Sequence, residues 1–179
     1  MKKRILILGS SSFSGSSTIN YLLTKNKYQI IGTYRKKKSD RYLPYKFNIK
    51  SNNFKEYKVD FLKNPSSLIN LIKKLKPEVI IDFASICMVN ESWKNSNIYF
   101  QINVLSKIKM IEYLSSTKFL KKYIYISTPE IFGSSEKYIE EKSKLFSPQT
   151  PYATSKLSFE ILLKNFHKNF NFPLIISRF

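Results

Sequence analysis

The 179-residue sequence predicts an α/β fold built on a doubly wound parallel sheet. Three observations predict it. Short apolar runs without polar alternation, such as Ile5-Leu6-Ile7-Leu8 and Val79-Ile80-Ile81, read as strands buried on both faces. Segments with apolar residues at helical spacing separate these runs, so strand and helix alternate along the chain. The first strand passes directly into Gly9-Ser10-Ser11-Ser12-Phe13-Ser14-Gly15, a small-residue turn that opens a helix. A helix N-terminus offers free N–H groups and a positive dipole end, and small side chains let a diphosphate come close. The alternative is an ordinary strand-to-helix turn, because a lone glycine pattern is weak evidence.

The elements follow in order. Ile5–Leu8 is the first strand, and Ile19, Leu22 and Leu23 mark the apolar face of the first helix. Tyr28–Tyr34 is the second strand, followed by the basic turn 35–38 and an irregular stretch to about Asn53. Glu56–Asp60 is a short third strand. Ser66 or Ser67 caps a helix through Leu68, Leu71, Ile72 and Leu75, which Pro77 ends. Val79–Ala84 is the fourth strand, and one long helix covers about Asn95 to Ser116. Tyr123–Ser127 is the fifth strand, Thr128–Thr150 a loop, and Pro151 starts a helix through Leu157, Phe159, Ile161 and Leu162. Pro173–Arg178 is the sixth strand. Residues 1–179 read as a single domain without repeats or linkers. The chain stops inside an apolar strand at Phe179, so a fragment with an open sheet edge is expected.

Composition excludes several classes. Hydrophobic residues at 42% and aromatics at 15% fit a globular chain with a real core. The single cysteine, Cys87, excludes an internal disulfide and a multi-cysteine metal site, and one histidine, His167, leaves no zinc chemistry, so no metal is expected. Cys87 is expected as a core or sub-surface thiol and His167 on the surface of the last helix. No stretch approaches a membrane span or a signal-peptide core, so the protein is expected in the cytoplasm. The net charge of +19 points toward nucleic acid or an anionic surface. Yet the lysines are spread along a chain equally heavy in Asn, Ile, Ser, Tyr and Phe, the profile of AT-rich coding. The charge is read as partly incidental, and nucleic acid is not the expected partner.

Ligands of such sheets bind at the carboxyl ends of the strands. That rule gathers Gly9–Gly15, Tyr34–Arg35, Asp60, Phe83–Ser85 and Ser127–Glu130 on one surface. Arg35 follows the second strand, where an acidic residue suits a free ribose and an Arg suits a 2′-phosphate; a solvated basic turn is the alternative. Tyr152 and Lys156 are one turn apart on a helix, and a nearby cation lowers a phenol's pKa, so this pair suits proton transfer with a substrate hydroxyl. In a lysine-rich chain the same spacing also arises without function. Thr128 can hydrogen-bond the same substrate oxygen, and Glu130 can act as base on a carbon acid; both equally fit a solvated strand end.

Together, and in this order, these pieces resemble the extended short-chain dehydrogenase/reductase family, in its branch of NAD(P)-dependent nucleotide-sugar epimerases and dehydratases. Gly9–Gly15 resembles the family's G-x-x-G-x-x-G turn, with Ser12 in place of the middle glycine. Val59-Asp60-Phe61 resembles the segment that holds the adenine. Phe83-Ala84-Ser85, then Val89 and Ser92-Trp93, resemble the stretch over the cofactor and the helix entrance beyond. Asn103-Val104 resembles the Asn-Val of the next helix. Ser127–Gly133 resembles S-[ST]-x-x-V-Y-G, and 146–156 resembles P-x-x-P-Y-x-x-S-K. Ile176-Ser177-Arg178 resembles the strand before the family's N-x-Y-G-P segment, which lies outside this sequence.

The resemblance implies a Rossmann-like sheet that holds NAD or NADP through Gly9, Ser12, Phe13, Ser14, Gly15, Arg35, Asp60, Phe61, Phe83, Ala84, Ser85, Asn103, Tyr152 and Lys156. Ser12 is the departure, and its hydroxyl is expected to donate to a phosphate oxygen instead. In the implied chemistry Tyr152 deprotonates a sugar hydroxyl as hydride leaves, Lys156 holds the nicotinamide ribose and lowers the Tyr152 pKa, and Thr128 binds the reacting oxygen. Glu130 tilts this toward 4,6-dehydration of a nucleotide sugar, whereas Pro129 departs from hexose dehydratases with an acid there. The Gly32–Lys36 run resembles NADP-using GDP-mannose dehydratases, so NADP is slightly favoured. A full-length form is expected to be a homodimer, and turnover by this chain alone is not. The alternatives are an NADPH-dependent sugar-nucleotide reductase, or a non-catalytic dinucleotide- or RNA-binding module.

Overall fold

The computed structural model describes residues 2–36, 42–48, 52–136 and 138–179; Lys37 and Lys38 of the basic turn lie outside them. Six parallel strands among the described residues form one sheet: β1 (Lys3–Leu8), β2 (Tyr28–Tyr34), β3 (Phe54–Lys58), β4 (Val79–Asp82), β5 (Lys122–Ser127) and β6 (Leu174–Arg178). Their spatial order is β3-β2-β1-β4-β5-β6, with Leu8 opposite Thr33 on one side and Asp82 on the other. This is the expected Rossmann-like doubly wound sheet.

The apolar run of β1 is buried on both faces for the reason the sequence indicated. Leu6 and Leu8 face α3 (Pro65–Leu75), α6 (Ser106–Ser115) and α7 (Pro151–Phe170), packing in one cluster with Leu68, Ile72, Ile111 and Phe159. Ile5 and Ile7 face the other side, against Ile19 of α1 (Phe13–Thr24) and Tyr45 of α2 (Tyr45–Asn48). No helix among the described residues is long and apolar enough to cross a membrane.

Local chemistry moves several boundaries. β3 begins two residues earlier than expected and ends at Lys58, because Asp60 turns the chain by accepting N–H bonds from Leu62 (3.0 Å) and Lys63 (3.2 Å). β4 ends at Asp82, whose carboxylate draws the Ala84 N–H off the ladder at 3.0 Å. Neither Ser66 nor Ser67 caps α3. Asn64 does, accepting from Ser67 N at 3.1 Å, with Pro65 in the first turn. The expected helix at 95–116 is broken into α5 (Ser96–Phe100), a wider π-turn segment (Gln101–Leu105) and α6, after a separate α4 (Val89–Lys94). The loop at 128–150 starts with a 3-10 turn, Pro129–Phe132, in which Thr128 Oγ1 accepts from Glu130 N at 3.3 Å. Pro151 sits in the first turn of α7 as expected, capped by the Thr150 side chain. His167 is exposed on α7, whereas Cys87, expected below the surface, is exposed because it follows β4 on the chain's excursion off the sheet.

The cap assignment is testable. Asn64→Ala is expected to cost about 1 kcal/mol in urea unfolding, as for other lost N-caps, and Ser66→Ala close to nothing.

Candidate functional site

The site begins where β1 meets α1. Gly9 has φ +82°, a left-handed backbone that glycine adopts without strain, and a Cβ there would lie 3.1 Å from Ala84 N. A Cβ on Gly15 would lie 2.3 Å from the Gly9 carbonyl oxygen. Both glycines are therefore required by close backbone approach. Ser12 caps α1: its Oγ accepts from Gly15 N at 3.1 Å and donates to Gly9 O at 2.8 Å. The expectation that this hydroxyl donates to a phosphate is corrected by that geometry, since its proton is committed to the turn. The N–H groups of Phe13 and Ser14, in the first turn of α1, have no intrahelical acceptor, and no acidic residue stands among them. That arrangement accepts an anion.

Beside the turn opens a cavity of about 1130 Å³. Gly9, Ser12 and Phe13 line one end, Arg35, Asp60 and Phe61 the second wall, and Phe83, Ala84 and Ser85 the third. These expected residues are brought together. Ser14 and Gly15 stand behind the turn within α1 rather than on the cavity wall. Asn103 is also off the wall: buried, it accepts from Ile86 N (2.9 Å) and donates to Ile86 O (3.2 Å) and Ser155 Oγ (3.0 Å). These bonds fasten the loop at Ile86 to α7.

The remaining expected residues, Thr128, Glu130, Tyr152 and Lys156, are not among the cavity's lining residues, which include Cys87. Tyr152 is buried on α7, edge-on to Tyr99 at 6.4 Å. Burial pushes its pKa up to about 12, with Cys87, Glu130 and Tyr99 adding to the rise and Thr128 opposing it. Lys156 Nζ donates to Ile126 O and lies 4.3 Å from the centre of the Tyr125 ring. Burial, then the Lys107 charge, lowers its pKa to about 7. The expected lowering of the Tyr152 pKa by Lys156 is not seen here: burial raises the phenol, and the Lys156 amine is turned toward the Ile126 carbonyl. Glu130 is exposed on the 3-10 turn.

Two polar groups behind the walls were missed from sequence. Glu56 of β3 accepts from Ser10 Oγ (2.9 Å) and Tyr45 OH (2.7 Å), bracing the turn from below. Asp82 and Lys107 form an ion pair of 2.7 Å with side chains 0% and 1% exposed. The pair had a legible signal: Lys107 falls on the apolar stripe of Val104, Ile111 and Leu114, and Asp82 ends an apolar strand. Among the described residues no cluster of His, Cys, Asp and Glu is placed to hold a metal ion.

Comparison with known proteins matches this geometry. Residues 6–179 match the family model described as GDP-mannose 4,6 dehydratase. A dTDP-D-glucose 4,6-dehydratase of Dictyostelium discoideum is 32% identical over 98% of this chain and 43% of its own length. The UDP-glucuronic acid 4-epimerase of Bacillus cereus, solved with UDP-glucuronic acid and NAD, superposes with a TM-score of 0.85 at 28% identity, covering 98% of this chain and 55% of its own. The UDP-Glc/GlcNAc 4-epimerase of Campylobacter jejuni gives 0.86 at 27% identity, covering 98% and 53%. The chain spans about half the length of the curated relatives it matches. With its glycine turn, cavity and Tyr-x-x-x-Lys helix in the matching order, the chain belongs to the GDP-mannose 4,6 dehydratase family, within the extended short-chain dehydrogenases/reductases.

Proposed function

We propose that residues 1–179 are the NAD(P)-binding part of an enzyme that converts a nucleotide sugar through a transient keto sugar. The observation that carries this reading is one cavity lined by Gly9, Ser12 and Phe13 of the glycine turn and also by Cys87, whose charge acts on buried Tyr152. Its volume exceeds the ~300–1,000 Å³ usual for small-molecule sites, which suits an extended dinucleotide.

In this reading the pyrophosphate lies on the Phe13 and Ser14 N–H groups. Asp60 and Phe61 flank the adenine, and Phe83–Ser85 carry the rest of the chain toward Tyr152. When bound, the nicotinamide supplies a reversible hydride acceptor. Tyr152 then has one task, taking the proton of a sugar hydroxyl held by Thr128. Its high pKa is the state before ligands bind the site; a cationic nicotinamide and a Lys156 turned away from Ile126 O both favour the phenolate. In this reading exposed Glu130, whose charge acts on Tyr152, would be the base that removes a carbon-bound proton, which favours 4,6-dehydration over epimerisation. It counts equally against the NADPH-dependent reductase, which needs no such base. The basic surface supports no RNA-binding alternative beyond its charge. The relatives' remaining half has no counterpart in these residues, so the sugar's contacts and a homodimer belong to a longer form.

Arg35 lines the cavity beside Thr33 and Tyr34 and is exposed, free to meet a 2′-phosphate. Titration of intrinsic fluorescence is expected to show tighter binding of NADP than NAD, and Arg35→Ala to remove the difference. A clear NAD preference in the unaltered chain sinks the role of Arg35. In a longer, active form, Tyr152→Phe is expected to lower nucleotide-sugar turnover by about 10²–10⁴-fold without changing dinucleotide affinity. Surviving turnover contradicts the proton transfer.

A further inference from the structure

Asp82 and Lys107 are buried together at the carboxyl end of β4, directly behind the cavity wall. Such a pair is weak evidence for stability, since apolar replacements of similar volume are often neutral or stabilising. Its hydrogen bonds point to a local task. Asp82 Oδ1 accepts from Ala84 N at 3.0 Å, while Lys107 Nζ donates to Ala84 O. Tyr123 OH completes the carboxylate at 2.7 Å. Both polar groups of the Ala84 backbone are thus clamped by one ion pair. Ala84 is also the residue against which Gly9 packs so closely that a Cβ would sit 3.1 Å from its N atom. The clamp therefore sets the separation between the cavity's two backbone walls.

Lys107 has a second neighbour. Its Nζ lies 5.9 Å from the centre of the Tyr125 ring, and Lys156 Nζ lies 4.3 Å from that same centre. The Tyr125 hydroxyl donates to the Lys156 carbonyl at 3.3 Å. Two buried ammonium groups thus share one aromatic side chain, and only Lys107 has a carboxylate in contact. The groups acting on Lys156 are Lys107 from α6, Asp82 from β4, Cys87 from the following loop and Glu160 one turn along α7. Burial is the largest influence and the Lys107 charge the next, ahead of the opposing Asp82.

We propose that Lys107 is a positioning residue of this site: anchored by Asp82, it holds Ala84 against the glycine turn and, beside Tyr125, restricts the positive charge that Lys156 carries. The inference rests on the dinucleotide reading of the cavity for its functional meaning. Its electrostatic part is independent of that reading.

The test is the titration of Lys156 in the chain without dinucleotide, followed through the Cε resonance of 13C-lysine and assigned with Lys156→Met. The unaltered chain is expected to titrate near pH 7. Lys107→Met moves that midpoint upward, because a like charge is removed. Asp82→Asn/Lys107→Met removes both charges, keeping an acceptor for Ala84 N but not the donor to Ala84 O, and moves it upward too, since Lys107 outweighs Asp82. In both variants the pH profile of NADP affinity moves upward with the midpoint. A role confined to packing leaves the midpoint in place and overturns the proposal. So does an ordinary lysine midpoint in the unaltered chain, a result that needs no variant to fold. So does a shifted midpoint with an unmoved affinity profile. Failure of the unaltered chain to bind NAD or NADP overturns the functional reading, while the NMR midpoints still decide the electrostatic one.

Discussion

The contact between the Gly9 turn and the Ala84 backbone is the constraint on which the site depends. It lies where the strand order reverses: β1 is flanked by β2 and β4, and the chain leaves these strands toward opposite faces of the sheet. Such divergence opens a crevice at the carboxyl edge of any doubly wound sheet. Here the crevice floor is two backbone segments in near contact, so nothing larger than glycine fits at position 9. The consequences run outward. Gly15 lets α1 start directly behind the turn, Ser12 closes the cap, and the N–H groups of Phe13 and Ser14 are left without an intrahelical acceptor.

Behind that contact the sheet carries an unusual load of buried charge. Asp82, Lys107, Lys156 and Glu160 all lie within or against α6, α7 and the strand ends, nearly without exposure. Glu160 resolves its burial with Arg178 and Lys164, which hold its carboxyl below the usual range against a desolvation that raises it. Asp82 resolves its own with Lys107 and Tyr123. Lys156 has a carbonyl and a ring face in contact, and burial, then the Lys107 charge, loosens its proton. A pKa lowered to about 7 puts Lys156 at an ionisation balance near neutral pH. A side chain that exchanges a carbonyl partner for a ligand at small electrostatic cost suits a site that must accept and release a dinucleotide.

The sheet was legible because strands buried on both faces need unbroken apolar runs, and Ile5–Leu8 and Val79–Ile81 are such runs. The glycine turn was legible because few residues besides glycine tolerate that geometry, and Gly9 and Gly15 are two of only four in the chain. Strand ends were less so: Asp60 and Asp82 bend the backbone through side-chain contacts that no periodicity encodes. The break at Asn95 and the π-turn segment after it, which holds the buried Asn103, have no periodicity signal in the sequence either. The protonation balance of Tyr152 and Lys156 ran opposite to the spacing argument. Four-residue spacing places two side chains on one face, but burial and the choice of hydrogen-bond partner set their charges.

The most direct measurement is calorimetric titration of NADP and NAD into the unaltered chain and into Gly15→Ala. The added methyl would fall 2.3 Å from the Gly9 carbonyl oxygen and 2.8 Å from Ser12 Oγ, forcing open the turn that lines the cavity. A single saturable site in the unaltered chain, lost or weakened at least about tenfold in the variant, is the expected result, a change of ~1.4 kcal/mol. No heat of binding in the unaltered chain, or equal binding in the variant, contradicts a dinucleotide site at this turn.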